Sequence, residues 1–351
     1  MVTHPRPTPA AIRSGRENNP KTRERDFARM LGITEADLVS AYVGDTSRRL
    51  RVDMDHIFSG LAAVGEVMAL TRNESAVHEK IGVFEGYHSG KHAAMMLSEN
   101  IDTRMFPKHF VHGFEVVKPA EKGVTRSIQI FDSEGHAVHK VHARPNTNID
   151  RWNALVEPLV HEDQSQVFAP VEIGRDPFTD DPQAQASNLR KRWEKMTDTH
   201  QFVFIIKKLK MSRLQAVQVI GEDFAWPLYV DSVEAMLRHS ANQELPIMCF
   251  VGNTGCIQIH SGPIKNIKPM GAWLNVMDPN FHLHLRMDQI TEAWAVRKPT
   301  DKGHVTSIEA YNAAGDLIIQ FFGKRIEGQD ERRAWREIVE NLPRIPVSQV
   351  A

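Results

Sequence analysis

The segment Met196-Thr197-Asp198-Thr199-His200-Gln201-Phe202-Val203-Phe204 gathers an imidazole, helix-capping residues and aromatics in one short stretch. With Thr197 or Asp198 as cap, His200 is predicted in the first turn of a helix. Phe204, then Lys207 or Lys208, would share its face. An exposed imidazole, an aromatic and a cation about 10 Å further along the helix suit a flat, anionic metal macrocycle. The nitrogen would take the metal, the phenyl ring would stack, and the lysine would meet the acidic groups. The same residues also read as a buried segment, 202–206, with His200 as its polar cap.

Arg104 carries the second chemical possibility. Asn100-Ile101-Asp102-Thr103-Arg104-Met105-Phe106 alternates in polarity, which puts Arg104 and Phe106 on one face of a strand. A guanidinium beside an aromatic can hold an anion or polarise a bound oxygen; the commoner use is a surface ion pair. His136, His139 and His142 have ligand-like spacing, but a strand turns His139 away from the other two. His282 and His284 share a face without a third partner nearby. Cys249, Cys256 and His260 fit no zinc spacing and read as buried strand residues. Gly252-Asn253-Thr254-Gly255 is no phosphate loop, because the Gly-Lys-Ser/Thr ending is missing. Neither Gly-x-Ser-x-Gly nor His-Glu-x-x-His occurs, so a hydrolase has no support.

The elements that must position these residues come in two copies. At an offset of 180, residues 67–73 lie over 247–253, Lys118 over Lys298, and Ser127-Ile128 over Ser307-Ile308. The turns Asp132-Ser133-Glu134-Gly135 and Asn312-Ala313-Ala314-Gly315 match as well. Each turn joins two alternating runs, 126–131 with 137–143 and 305–311 with 316–322, so each is predicted to be a β-hairpin. Helices are predicted over 23–31, ending at Gly32, from Thr34 onward, and over 330–342, stopping before Pro343. Strands with segregated helices, twice over, give an α+β fold with internal duplication: two large antiparallel β-sheets, each flanked by helices. The expected organisation is a flexible tail at 1–20, repeat 1 at 21–173, a linker and connecting helix at 174–195, and repeat 2 at 196–346.

Composition narrows the function class. The 351 residues carry 43 Lys and Arg against 44 Asp and Glu, a net charge of −1. That balance argues against a nucleic-acid coat or a binder of anionic membranes. Two cysteines cannot frame a disulfide-rich domain, and the polar, proline-punctuated start predicts no secretory signal. No apolar run reaches membrane-spanning length. Seventeen histidines invite a metal or haem reading. A cytoplasmic protein is expected.

The order and content of several blocks resemble the bacterial HemS/HmuS/ChuS family of haem-utilisation proteins. They are Val77-His78-Glu79-Lys80-Ile81-Gly82, Asp102-Thr103-Arg104-Met105-Phe106, Met196 to Phe202, Ser212-Arg213-Leu214-Gln215-Ala216, and the stretch from Gly252 to Pro263. The resemblance spans about residues 20 to 345. It implies a cytoplasmic protein for haem b (iron protoporphyrin IX), with His200 as the iron ligand. Arg104 would lie on the opposite side of the ring, where it could hold a water, hydroxide or peroxide on the iron. Phe106 and Phe250 would wall the ring, and Arg213, Lys298 and Gln320, with Arg325, would hold the propionates. This replaces Lys207 and Lys208 in that role. Phe322 stands where some members have a tyrosine, and Val203 where a second aromatic is common.

Two functions follow from the resemblance. One is receipt of imported haem for delivery or sequestration, in contact with a haem-degrading enzyme or an inner-membrane haem importer. The other is a non-standard haem oxygenase that opens the macrocycle, with Arg104 as its catalytic residue. Delivery is put first, because the sequence shows no motif for a flavin or nicotinamide electron donor. Without haem binding, the remaining reading is a duplicated interaction scaffold. No nucleic-acid partner is expected, and the assembly would be a monomer or homodimer.

Overall fold

The computed structural model describes residues 6–121, 123–174, 177–325 and 332–346. Its strands form two large antiparallel sheets. The chain divides into two compact units. Unit 1 comprises 1–72, 79–174 and 253–258; unit 2 comprises 73–78, 175–252 and 259–351. Each half of the sequence thus contributes one short turn segment to the unit built mainly from the other half.

In unit 1 the spatial order of one five-strand run is Ser47–Leu50, His112–Ala120, Gly123–Phe131, Ala137–Ala143, Val67–Arg72. A second run is Tyr87–His88, Ala94–Leu97, Asp102–Met105. Unit 2 repeats the plan with Ala225–Leu228, Glu292–Thr300, Gly303–Tyr311, Leu317–Gly323, Ile247–Gly252. Its second run is Ile267–Met270, Trp273–Asp278, Phe281–Arg286. Both predicted hairpins are present. Their turns close on Gly135 and Gly315 at φ of 90° and 79°, which only glycine adopts without strain.

Alternation drives the layering. Val67–Arg72 and Ile247–Gly252 each bury every second residue, the pattern of strands with one face against a core. Helices cover those faces. Met54–Val64 buries Ile57, Phe58, Leu61 and Val64, while Arg333–Glu340 buries Trp335, Ile338 and Val339. The predicted start of the latter helix, at Asp330, lies outside the described residues. Thr34 caps Glu35–Ser40 in a capping box with Asp37, and Ser212 caps Arg213–Val219 with Gln215 in the same way.

Residues 1–20, read from sequence as a flexible tail, include the helix Pro9–Glu17. Thr8 caps it and Ile12 is buried under it. Arg13 also donates from its guanidinium to the Ala41 carbonyl and to Gln166, so this helix is docked. The helix Ala186–Trp193 follows a stretch, 161–182, without a described helix or strand. It buries Leu189 and Trp193 in the core of unit 2. Among the described residues no helix is long and apolar enough to cross a membrane.

The exchanged turns are tied by two asparagines in equivalent roles. In unit 1, Asn253 Oδ1 accepts from Gly255 and Cys256 N–H, while its amide donates to the carbonyls of Arg72 and Val138. In unit 2, Asn73 Oδ1 accepts from Ser75 and Ala76 N–H, and its amide donates to the carbonyls of Gly252 and Ile318. A side chain that satisfies four backbone groups substitutes for ladder bonds the turn cannot make.

Candidate functional site

His200 is the N-terminal cap of the helix Gln201–Lys208, one position before its first turn and not inside it. The helix starts late because Asp198 bends the preceding chain: its Oδ1 accepts from His200 N–H at 2.7 Å and from His200 Nδ1 at 2.7 Å. The backbone bond, helped by the imidazole, holds the Asp198 carboxyl below the usual carboxylate range. An ionised carboxylate on Nδ1 keeps the proton there and presents Nε2 as a lone pair, the arrangement that prepares a histidine for a metal. The His200 side chain is 89% exposed. Phe204, one turn further, is 73% exposed, and Val203 is also exposed, while Phe202 turns inward. An imidazole beside uncovered apolar side chains is a platform for a flat ligand. Arg325, exposed, acts electrostatically on Asp198.

Arg213, Lys298 and Gln320 do converge, and what they converge on is Glu309, which the sequence reading missed. Glu309 Oε1 accepts from Lys298 Nζ at 2.7 Å, Gln320 Nε2 at 2.8 Å and Ser307 Oγ at 2.9 Å. Its Oε2 accepts from Tyr311 Oη at 2.6 Å, and Arg213 Nη1 lies 3.3 Å from both oxygens. Burial pushes the Glu309 carboxyl up, but Lys298, Arg213 and the Tyr311 hydroxyl outweigh it and hold the group well below the carboxylate range. The available signal was parity: Ser307, Glu309 and Tyr311 lie on one face of Gly303–Tyr311, so a carboxylate there needed partners. Two cations face one anion, which leaves one positive charge in excess. Arg213, 23% exposed, and half-buried Gln320 are the parts of the cluster that reach solvent.

Unit 1 does not reproduce this cluster. Gln129 stands in register with Glu309 and takes the Ser127 hydroxyl as its partner, while Lys140 replaces Gln320 and donates to Glu35 at 2.8 Å. Burial raises the Glu35 carboxyl, yet Lys140 and Arg25 bring it to about 2.

Phe250 pairs across strands with Gln320 and meets Phe322 edge-on, ring centroids 5.0 Å apart. Arg104 and Phe106, in unit 1, are both half-buried on one side of Asp102–Met105, as alternation predicts. Arg104 pairs with Asp102 two residues away on the same face, the ion-pair use of the arginine.

Among the described residues His136, His139 and His142 do not come together as one group of ligands; His136 instead has Asp132 and Glu134 within 4.8 Å. His139 is buried against Thr71, whose hydroxyl bonds Nδ1 at 2.9 Å, and burial pulls its pKa down to about 3. Burial and Lys140 take His142 down to about 4, while His136 is exposed beside Asp132. His282 and His284 stand 6.5 Å apart, with His284 Nδ1 held to Asn275 Oδ1 at 2.6 Å. Cys249 and Cys256 are buried thiols in separate cores. Burial raises the Cys256 thiol to about 12, so it is inert.

Comparison with known proteins places the whole chain in a family. The model of the haemin-degrading HemS/ChuX domain matches residues 32–159 and again 210–342. The hemin transport protein HmuS of Yersinia pestis is 37% identical over 91% of this chain and 92% of its own length. The crystal structure of holo-PhuS, a heme-binding protein from Pseudomonas aeruginosa, has a TM-score of 0.93 at 38% identity. It covers 97% of this chain and 100% of that one. ChuS, described as an E. coli heme oxygenase, has a TM-score of 0.86 at 35% identity, covering 94% and 98%. The chain therefore belongs to the HemS/ChuX haemin-degrading domain family and carries that domain twice.

Proposed function

We propose that this protein binds haem b in the cytoplasm, with His200 as the iron ligand, and delivers or sequesters it for iron utilisation. The observation that carries the reading is the exposed imidazole oriented by Asp198 at 2.7 Å and followed by exposed Val203 and Phe204. A single neutral nitrogen ligand holds iron firmly enough for transport and requires one bond to break on transfer. Arg213 would take a propionate with N–H groups not engaged by Glu309. Lys298 and Gln320 keep that guanidinium in place through the shared carboxylate, Phe250 walls the ring, and Arg325 stands near the same rim. Arg104 and Phe106 would serve the face opposite the ligand. The receiving partner would be a haem-degrading enzyme, or the supplier an inner-membrane haem importer.

Titration with hemin tests this. A saturable, sharp Soret band is the expected result, and a broad band that grows without saturation would refute haem binding.

The heme oxygenase description of ChuS favours a second reading, in which the bound macrocycle is opened. Arg104 would then stabilise negative charge developing on the far side of the ring. Turnover of bound haem with a reductant in the presence of catalase separates the two. Persistent, defined tetrapyrrole products favour the oxygenase; their disappearance favours delivery.

A further inference from the structure

The two repeats correspond hydrogen bond by hydrogen bond, which allows an unequal packing to be located. Asn19 N–H donates to Arg16 O as Met196 N–H donates to Trp193 O, both at 3.0 Å. Leu31 N–H to Phe27 O repeats as Leu209 N–H to Ile205 O, each followed by a left-handed residue, Gly32 or Lys210. Val117 N–H donates to Thr46 O as Arg297 N–H donates to Phe224 O. Arg16 thus corresponds to Trp193, Glu24 to Phe202, and Thr46 to Phe224.

In unit 2 those three positions are aromatic and fill their space. Trp193 and Phe202 are fully buried with ring centroids 5.0 Å apart, and Phe224 lies 6.1 Å from Trp193. The Trp193 indole N–H donates to the Arg297 carbonyl at 2.9 Å. In unit 1 the corresponding space is a cavity of about 300 Å³, lined by Arg16, Glu24, Thr46 and Lys118 over an apolar floor of Leu38, Val39 and Val116. One repeat carries its aromatic filling as side chains, and the other leaves the space open.

The lining defines what would fit. The Thr46 hydroxyl is buried and has no hydrogen-bond partner among the described residues, an arrangement proteins rarely leave unanswered. Lys118 is paired with Glu24 and contributes no net charge. Arg16 donates only to the carbonyls of Asn19 and Thr22 and lies 5.5 Å over the Phe27 ring, so no carboxylate answers its charge among the described residues. The cavity is at the small end of ligand pockets, too small for a tetrapyrrole and of a size for one fused ring pair.

We propose that this cavity in unit 1 is a binding site for a small aromatic carboxylate of about indole size, its ring on Leu38, Val39 and Val116 and its carboxylate on Arg16. Calorimetric titration of the full-length protein with indole-3-acetate tests the site. One molecule should bind with a dissociation constant below about 1 mM, and neutral indole at least about tenfold more weakly. Arg16→Trp, which places the other repeat's indole in the space, should weaken indole-3-acetate by at least about tenfold. An excess of hemin should leave the binding unchanged. Absence of saturable heat, equal affinity for indole, undiminished binding by Arg16→Trp, or displacement by hemin would each overturn the proposal. Should that variant fail to fold, contacts between the ligand ring and the Val39 and Val116 methyls in wild-type NMR spectra decide it: their presence supports the site and their absence rejects it.

Discussion

Lys298 Nζ donates to Glu309 Oε1 at 2.7 Å with both side chains closed to solvent, so the lysine is held by the protein before any ligand arrives. Burial lowers the Lys298 pKa, with Glu309 opposing that shift, and the two groups depend on each other. A lysine expected from sequence to touch a ligand directly is thereby better placed to position Arg213.

Glu309→Gln should destabilise the protein by about 3–5 kcal/mol, the cost of leaving buried Lys298 without its counter-charge. Urea unfolding at neutral pH measures it. A loss below about 1 kcal/mol would mean that the carboxylate is not the hub described.

The same group sets an acid response. The folded Glu309 carboxyl titrates well below its unfolded value, so its contribution is fully present above the ordinary carboxylate pKa. As pH falls below about 4.3 the unfolded chain takes up a proton that the folded site refuses, and stability drops by up to about 1.4 kcal/mol per pH unit from this group. Urea midpoints taken from pH 5 downward should fall more steeply for the wild type than for Glu309→Gln. Parallel slopes would remove Glu309 from the account.

His200→Ala should change the ligand-field bands of the haem complex, and Asp198→Asn should weaken haem by about 10–100-fold, as loss of an orienting carboxylate does at other metal-bound histidines. Hemin titrations followed by visible absorption compare the three proteins. Identical spectra for His200→Ala and wild type would sink the assignment of the ligand.

Arg104→Ala should leave haem affinity within about threefold, because the guanidinium of half-buried Arg104 is already engaged by Asp102. If it faces the far side of the ring, the pH at which the visible spectrum of the complex changes should move. A pH-titrated spectrum of each protein reads this, and superimposable titrations would exclude Arg104 from the site.

Asn253→Ala should cost about 2–4 kcal/mol, since four backbone groups lose their partner at once, and Asn73→Ala should match it. Thermal and urea unfolding of both variants check the equivalence. A marked difference would show that the two turns are not held alike.

What could be read along the chain was periodic or local. The duplication, the two hairpins around Gly135 and Gly315, the helix start at Thr34 and the inward-facing cysteines all follow from turn chemistry and alternation. They need contacts only a few residues long, as does the face shared by Arg104 and Phe106. The tertiary structure decided the rest, because it depends on which strands stand side by side. Glu309 becomes a hub only when Glu292–Thr300 and Leu317–Gly323 flank Gly303–Tyr311 and bring Lys298 and Gln320 within hydrogen-bond reach. Asn253 reaches Val138, and Asn73 reaches Ile318, over separations of more than a hundred residues. The open space beside Arg16 likewise arises from packing: the same backbone holds an indole in one repeat and a guanidinium in the other, and side-chain volume inside a folded core sets the difference.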